Sequence, residues 1–307
     1  MLHLLSAVLV FLHFFILAIP SSVFGQIPMT DATGTTITLA DTPRRIVSLM
    51  SSNTELLFAV GAGNSVVGIS NYCDYPPEVK MIEKVGDITT MSLEKIVSLA
   101  PDLVLASKGN SSDLIEGLRA LDVPVFVLNP QTIEEMIESI AIVGKLSGKS
   151  ETAARLLADS INRLSVITEH ISNLEEHDRP TVFVGSPFRD ENWTPGPGTF
   201  ISGVIRHAGG RNAADNVKAG SWAVYSLEDI ILKDPAVLLS TLRPNQNAVD
   251  VKIEFLKRAK GLNGWRNLDA VRNERVVLLP ENWLVRPTTR IIHAIEILAA
   301  ALHPHLF

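Results

Sequence analysis

Residues 92–107 read SLEKIVSLAPDLVLAS, and residues 226–241 read SLEDIILKDPAVLLST. Ser, Leu and Glu open both stretches, and an Ile, a Pro and a Leu recur at matching places, always 134 residues apart. In each copy the Ser can cap a short helix. The Glu then falls in the first turn, where the helix dipole favours a carboxylate. The Pro ends the helix ahead of an apolar strand. Taken singly, Ser-x-Glu marks only a helix start. The extended match implies two similar lobes, each presenting one acidic residue at the start of a short helix. Two lobes enclose a cleft, and a cleft suits a ligand.

Between the copies lies KSETAARLLADSINRLSVITEHISNLEE, residues 149–176, which contains no Gly or Pro. Ala153, Leu156, Leu157, Ile161, Leu164, Ile167, Ile171 and Leu174 recur at helical spacing,. The stretch predicts one helix about 40 Å long, linking the lobes. Strand and helix alternate on either side of it. RIVSLM (45–50) reads as a strand, and SSNTELLFAVGAG as a helix capped near Ser52 or Asn53 and stopped by Gly61 and Gly63,. The strands VVGIS, VPVFVLN, TVFVGS, VLLST and RVVLLP follow, with helices between them and a C-terminal helix from about Pro287 to Leu302. The fold class is therefore α/β: two Rossmann-like lobes with parallel sheets, joined by one long rigid helix. The divisions fall at 26–148 for the first lobe, 149–178 for the linking helix and 179–307 for the second lobe.

Residues 1–25 contain no Lys, Arg, Asp or Glu and are almost wholly apolar. They read as an export signal peptide that places the mature chain in the periplasm, although the usual basic start is missing. The alternative is an uncleaved membrane anchor. No Cys lies near the boundary for lipid attachment. The net charge of −6 is a poor match for nucleic acid, whose phosphates demand basic patches,. Cys73 is the only cysteine, so no internal disulfide can form and the core alone holds the chain,.

VGAGNSVVG at 60–68 has dinucleotide-loop glycines, but a helix precedes it and a strand follows, the reverse of what that loop requires,. No nucleophile elbow or triad signature is visible, so the chain reads as no enzyme, with an enzyme on a doubly wound fold as the distant alternative. His170, His177, His303 and His305 lack zinc-site spacing and read as solvated; His207 and His293 read as packing or capping residues,. No metal site and no catalytic cofactor are expected. Tyr72, Trp193, Trp222 and Trp283 each fall in an expected loop near the carboxyl end of a strand, where open α/β sheets bind ligands,. Asn282 and Arg286 beside Trp283 can add directional polar contacts.

RIVSLMSSNTELLFAVGAG, GISNYCDYPPEV, MSLEKIVSLAPDLVLA, GSWAVYSLEDII and ENWLVRPTTRIIHA, in that order, resemble segments of the periplasmic substrate-binding proteins of ABC importers. The similarity runs from about Arg44 to the C-terminus, and within the rigid-helix class it is closest to the cobalamin binders. The resemblance implies a monomer that carries cobalamin, or a related corrinoid, to a permease dimer. By position it implies ligand contacts at Tyr72, Trp193, Trp222, Asn282, Trp283 and Arg286, and permease docking through Glu94 and Glu228. The family's acidic residue is Asn282 here, and Ile88 stands where cobalamin binders carry a Trp. A ferric siderophore or haem remains the alternative ligand, with Arg189, Arg286 and Arg290 available to an anionic chelate.

Overall fold

Branched apolar residues in short runs build two parallel sheets, seen in a computed structural model that describes residues 28–88 and 90–307. The apolar stretch 1–25 lies outside the described residues. The first sheet orders its strands Glu83–Lys84, Val66–Ile69, Ile46–Ser48, Leu103–Ser107, Val125–Leu128, every pair parallel. The second runs Arg211–Asn212, Thr181–Val184, Val237–Leu242, Val276–Pro280, again all parallel. Alternate residues point to opposite faces of a strand. In the first sheet Ile46, Leu103, Leu105 and Phe126 enter one buried cluster, and Val47, Val104, Val125 and Val127 enter another on the other side. The second sheet divides Val182, Val237 and Leu239 from Phe183, Leu238 and Val276 in the same way. Both sheets are thus covered on two faces, as parallel sheets require.

The repeat is real at the level of the backbone. Ser92 caps Leu93–Ser98 by accepting from the Lys95 amide, and Ser226 caps Leu227–Lys233 by accepting from the Asp229 amide, each at 3.1 Å. Both helices are followed by a residue with positive φ, Ala100 at 44° and Asp234 at 36°. Each stands directly before a Pro, where the right-handed helical region is disfavoured.

The linking helix is Ser150–Ile171, about 33 Å long at the standard rise,. Its Ala153 is buried with the first lobe's core, and its Ile167 and Ile171 with the second's. A second helix crosses the boundary beside it. In Ile133–Leu146, residues Ile133, Met136 and Ile137 join the second lobe's core, while Ile140, Val143 and Leu146 join the first's. A turn through Gly148 at φ 68° reverses the chain between the two helices. Gly144 permits their close approach, since a Cβ there would lie 2.2 Å from that of Ala153. Arg163, in the second half of the linking helix, ties it by two hydrogen bonds to Glu296 of the C-terminal helix Arg290–Leu302, at 2.7 and 2.6 Å.

Other local expectations change as well. The helix Ser51–Ala59 is not capped by Ser52 or Asn53; both are buried within its first turn, and Asn53 donates 2.9 Å to the Ala106 carbonyl. His303 is buried rather than solvated, its Nε2 lying 3.1 Å from the Gly209 carbonyl, so the chain end is pinned to the second lobe. Trp193 and Trp222 lie on strands rather than in loops. Asn192–Pro195 and Trp222–Tyr225 pair antiparallel, although 26 residues separate them. Among the described residues no helix is long and apolar enough to cross a membrane.

Candidate functional site

The antiparallel ribbon gathers two of the expected aromatics. Trp193 pairs with Val224, and Trp222 with Pro195. Residues two apart share a face, so Trp193 and Trp222 are diagonal neighbours on one side of the ribbon. Trp193 is 50% exposed and Trp222 44%, with Val224 also exposed between them. Tyr72 is 55% exposed in the loop that follows the strand Val66–Ile69 of the other lobe. Large aromatics left open on a folded surface mark interaction sites more often than chance exposure.

Trp283 and Asn282 lie in the short helix Glu281–Val285 at the end of the strand Val276–Pro280. They line a cavity of about 500 Å³ with residues 243–246, Arg286 and Arg290 of the second lobe and Asp74 of the first. Trp283 is half-buried against the second lobe's core and tilts over His293. The expected contacts therefore divide. Asn282, Trp283 and Arg286 share the inter-lobe cavity, whereas Tyr72, Trp193 and Trp222 do not line it. Ile88 lines a separate recess of about 280 Å³ on the first lobe, with Met91, Leu93 and Asp113.

Arg286 makes contacts that sequence reasoning missed. Its Nη1 donates to Glu55 at 2.9 Å and also to Asp74, while its Nη2 reaches Asp74 at 3.3 Å. Arg290 grips Glu55 through both Nε, at 2.8 Å, and Nη2, and its guanidinium lies 4.3 Å from the centre of the Tyr75 ring. Two cations of the second lobe thus meet two carboxylates of the first across the lobe boundary. The Glu55 side chain keeps only 4% of its exposure, and those of Arg286 and Arg290 keep 18% and 14%. Burial raises the Asp74 carboxyl, but the hydrogen bonds and charge of Arg286 bring it below the usual range. For Arg286, burial works against the charge, and Asp74 and Glu55 more than offset it. The available signal was Glu55 itself, the one charged residue in SSNTELLFAV. A carboxylate in an otherwise uncharged, buried helix requires a cationic partner.

Glu94 and Glu228 are both exposed in the first turns of their helices. Each helix feeds the amino end of a strand in its sheet, so each Glu sits toward the carboxyl edge, the edge from which the Tyr72 loop and the tryptophan ribbon also extend. His207 is largely desolvated, which lowers its pKa despite Glu134 at 3.0 Å. Cys73 is buried, with Thr54 Oγ1 at 3.1 Å and Ser70 Oγ at 3.3 Å from its sulfur. Among the described residues no group of three His, Cys, Asp or Glu side chains could hold a metal.

Relatives point the same way. The chain is 30% identical to an uncharacterized ABC transporter substrate-binding lipoprotein, YvrC, of Bacillus subtilis (strain 168), over 92% of this chain and 87% of the relative. It is similar to the crystal structure of the periplasmic vitamin B12 binding protein BtuF of Vibrio cholerae. That match has 28% identity and a TM-score of 0.72, covering 86% of this chain and 98% of the other. A periplasmic haem-binding protein, RhuT, of Roseiflexus sp. RS-1 matches at 26% identity and a TM-score of 0.70, covering 86% and 99%. All three are named as binding proteins, the first as the substrate-binding protein of an ABC transporter. Residues 46–283 match the family model described as periplasmic binding protein, and the chain belongs to that family.

Proposed function

We propose that this protein captures cobalamin, or a related corrinoid, between its lobes and delivers it to the permease dimer of an ABC importer. The observation that carries the reading is the set of exposed aromatics, Tyr72 on one lobe and Trp193 and Trp222 on the other. A large, flat, mostly uncharged ligand suits such faces. Similarity to the vitamin B12 binding protein supports the same ligand. Asn282, Trp283 and Arg286 contact one edge of it. The chain works as an exported monomer, its lobes bounded near 148 and 179. Glu94 and Glu228, one per lobe, dock on basic residues of two like permease subunits. Calorimetric titration with cyanocobalamin tests the ligand, with a dissociation constant near the nanomolar range expected for a tight complex. No heat at micromolar protein, with clear binding of haem or a ferric siderophore, refutes it.

A second reading, a haem or ferric siderophore carrier, has its support in the arginines at the cavity and the similarity to a haem-binding structure. The pairing of Arg286 and Arg290 weighs against it, since neither offers an unneutralised charge to an anionic chelate.

A further inference from the structure

Four charged side chains meet where the lobes abut, and their formal charges cancel: Arg286 and Arg290 against Glu55 and Asp74. The other charged residues lining the cavity, Arg243 and Glu281, also balance. A ligand carboxylate entering here would have to take Arg286 from Asp74. That exchanges one carboxylate for another and sets the incoming charge beside two like charges. A ligand without a free carboxylate meets no such opposition. In a half-buried site this difference is large, because charges there are poorly screened.

We propose that Glu55 and Asp74 set the ligand selectivity of the cleft: by neutralising Arg286 and Arg290 they admit ligands with no free carboxylate and reject carboxylate-bearing chelates. The inference rests on the reading of Arg286 as a ligand contact. Glu55 is the fixed member, buried and gripped from two sides. Asp74 is the adjustable one, with half of its side chain open to solvent and Arg286 as its direct ion-pair partner. Removing its charge leaves the cluster with one net positive charge and frees the Arg286 donors that faced Asp74, where a propionate or citrate carboxylate can pair in two-point fashion while Glu55 keeps its own bond,.

Haem, which carries two carboxylates, and cyanocobalamin are titrated into the purified mature chain and into D74N, E55Q and D74N/R286M. D74N and E55Q should each bind haem about tenfold to a hundredfold more tightly than the wild type, the worth of one charge-assisted contact. D74N/R286M should lose the gain. Should E55Q fail to fold, D74N decides alone, because its carboxyl is half exposed. Unchanged haem affinity in D74N overturns the proposal. So does a gain that survives R286M, since a merely loosened joint would produce that. Failure of the wild type to bind cyanocobalamin overturns the ligand assignment instead, and the haem comparison between wild type and D74N still tests the neutralisation.

Discussion

Replacing Glu55 with Ala should weaken the whole molecule, although Glu55 belongs to neither sheet. The wild-type carboxylate has two occupied oxygens, Oε1 shared by both arginines and Oε2 held by Arg290 Nε. Its removal leaves the Arg290 guanidinium with the face of Tyr75, and Arg286 with Asp74 and, at 3.5 Å, the Tyr72 carbonyl. Losing one member of a buried pair costs about 3–5 kcal/mol, chiefly for the charge left unpaired. The arginines retain 18% and 14% of their exposure, which places the expected loss near the lower figure, about 3 kcal/mol,. Urea unfolding at neutral pH measures it as a lower midpoint at constant slope. The charge argument adds a sharper requirement. In E55A/R290M no unpaired Arg290 remains, so the double variant should lose less than the two singles together, by about 1.5 kcal/mol or more. The deficit of E55A should also persist in high salt, because buried pairs are weakly screened. A loss in E55A below about 0.5 kcal/mol, the scale of an ordinary surface change, or strict additivity with R290M, would refute the buried-joint account.

Truncation of Trp222 to Ala should weaken cyanocobalamin binding at least several-fold, from about 0.5–1.5 kcal/mol of aromatic contact beyond area burial, with the melting temperature nearly unchanged; a lowered melting temperature with intact affinity would make Trp222 structural. Glu94→Ala and Glu228→Ala together should abolish stimulated transport in vesicles carrying the cognate permease, each docking pair being worth roughly 2–5 kcal/mol when truncated. The same double variant should keep its ligand affinity and stability, since exposed carboxylates contribute little to folding. Stability should fall in two stages on acidification. His207 and His303 are depressed below 6.5, chiefly by burial, so the unfolded chain takes up protons first and stability declines as the pH drops below that value,. Asp31, Asp74 and Glu296 are held below 3.8, 3.8 and 4.5 by their partners, and the stability they contribute is lost as the pH falls through their lower folded values,. H303Q should shrink the upper stage in a pH series of urea midpoints and leave the lower one; an unaltered upper stage would remove His303 from this account.

The architecture was legible because its signals are local. A capping Ser, a Glu in the first turn and a Pro after the helix need no tertiary context, and all appear in both lobes. Apolar runs bounded by turns likewise gave the central strands to within two residues. The ribbon that carries Trp193 and Trp222 was not legible. Its two strands have four residues each and lie 26 residues apart, so neither periodicity nor a tight turn announces the pairing,. The second crossing helix was also hidden. Ile133–Leu146 shows an ordinary amphipathic pattern, and nothing local says that its first turns serve one core and its last turns the other. Arg286 was found as a polar residue beside the cleft. Its partners were missed because Glu55 and Asp74 precede it by more than two hundred residues.

These hidden elements together decide how the lobes can move. A single helix could bend, but Ile133–Leu146 and Ser150–Ile171 lie side by side, with Ala153 against Gly144, and sink into both cores. Bending one requires sliding the other through packed side chains. His207 on Glu134 ties the first turn of Ile133–Leu146 to the second lobe. The arginine cluster joins the lobes again at a separate place, through Ser51–Ala59 and the loop bearing Asp74. A hinge needs one axis with few contacts off it; here the helical pair and the ion cluster both hold off-axis points. Ligand capture therefore has to proceed with little lobe rotation, through side chains on the rim. Trp193, Trp222 and Tyr72, open to solvent and without partners in a core, are the groups free to adjust. Rigidity in the joint and freedom at the rim follow from the same division of burial. On the proposed docking through Glu94 and Glu228, a nearly fixed lobe spacing would leave the rim, rather than a change in spacing, to distinguish loaded from empty protein.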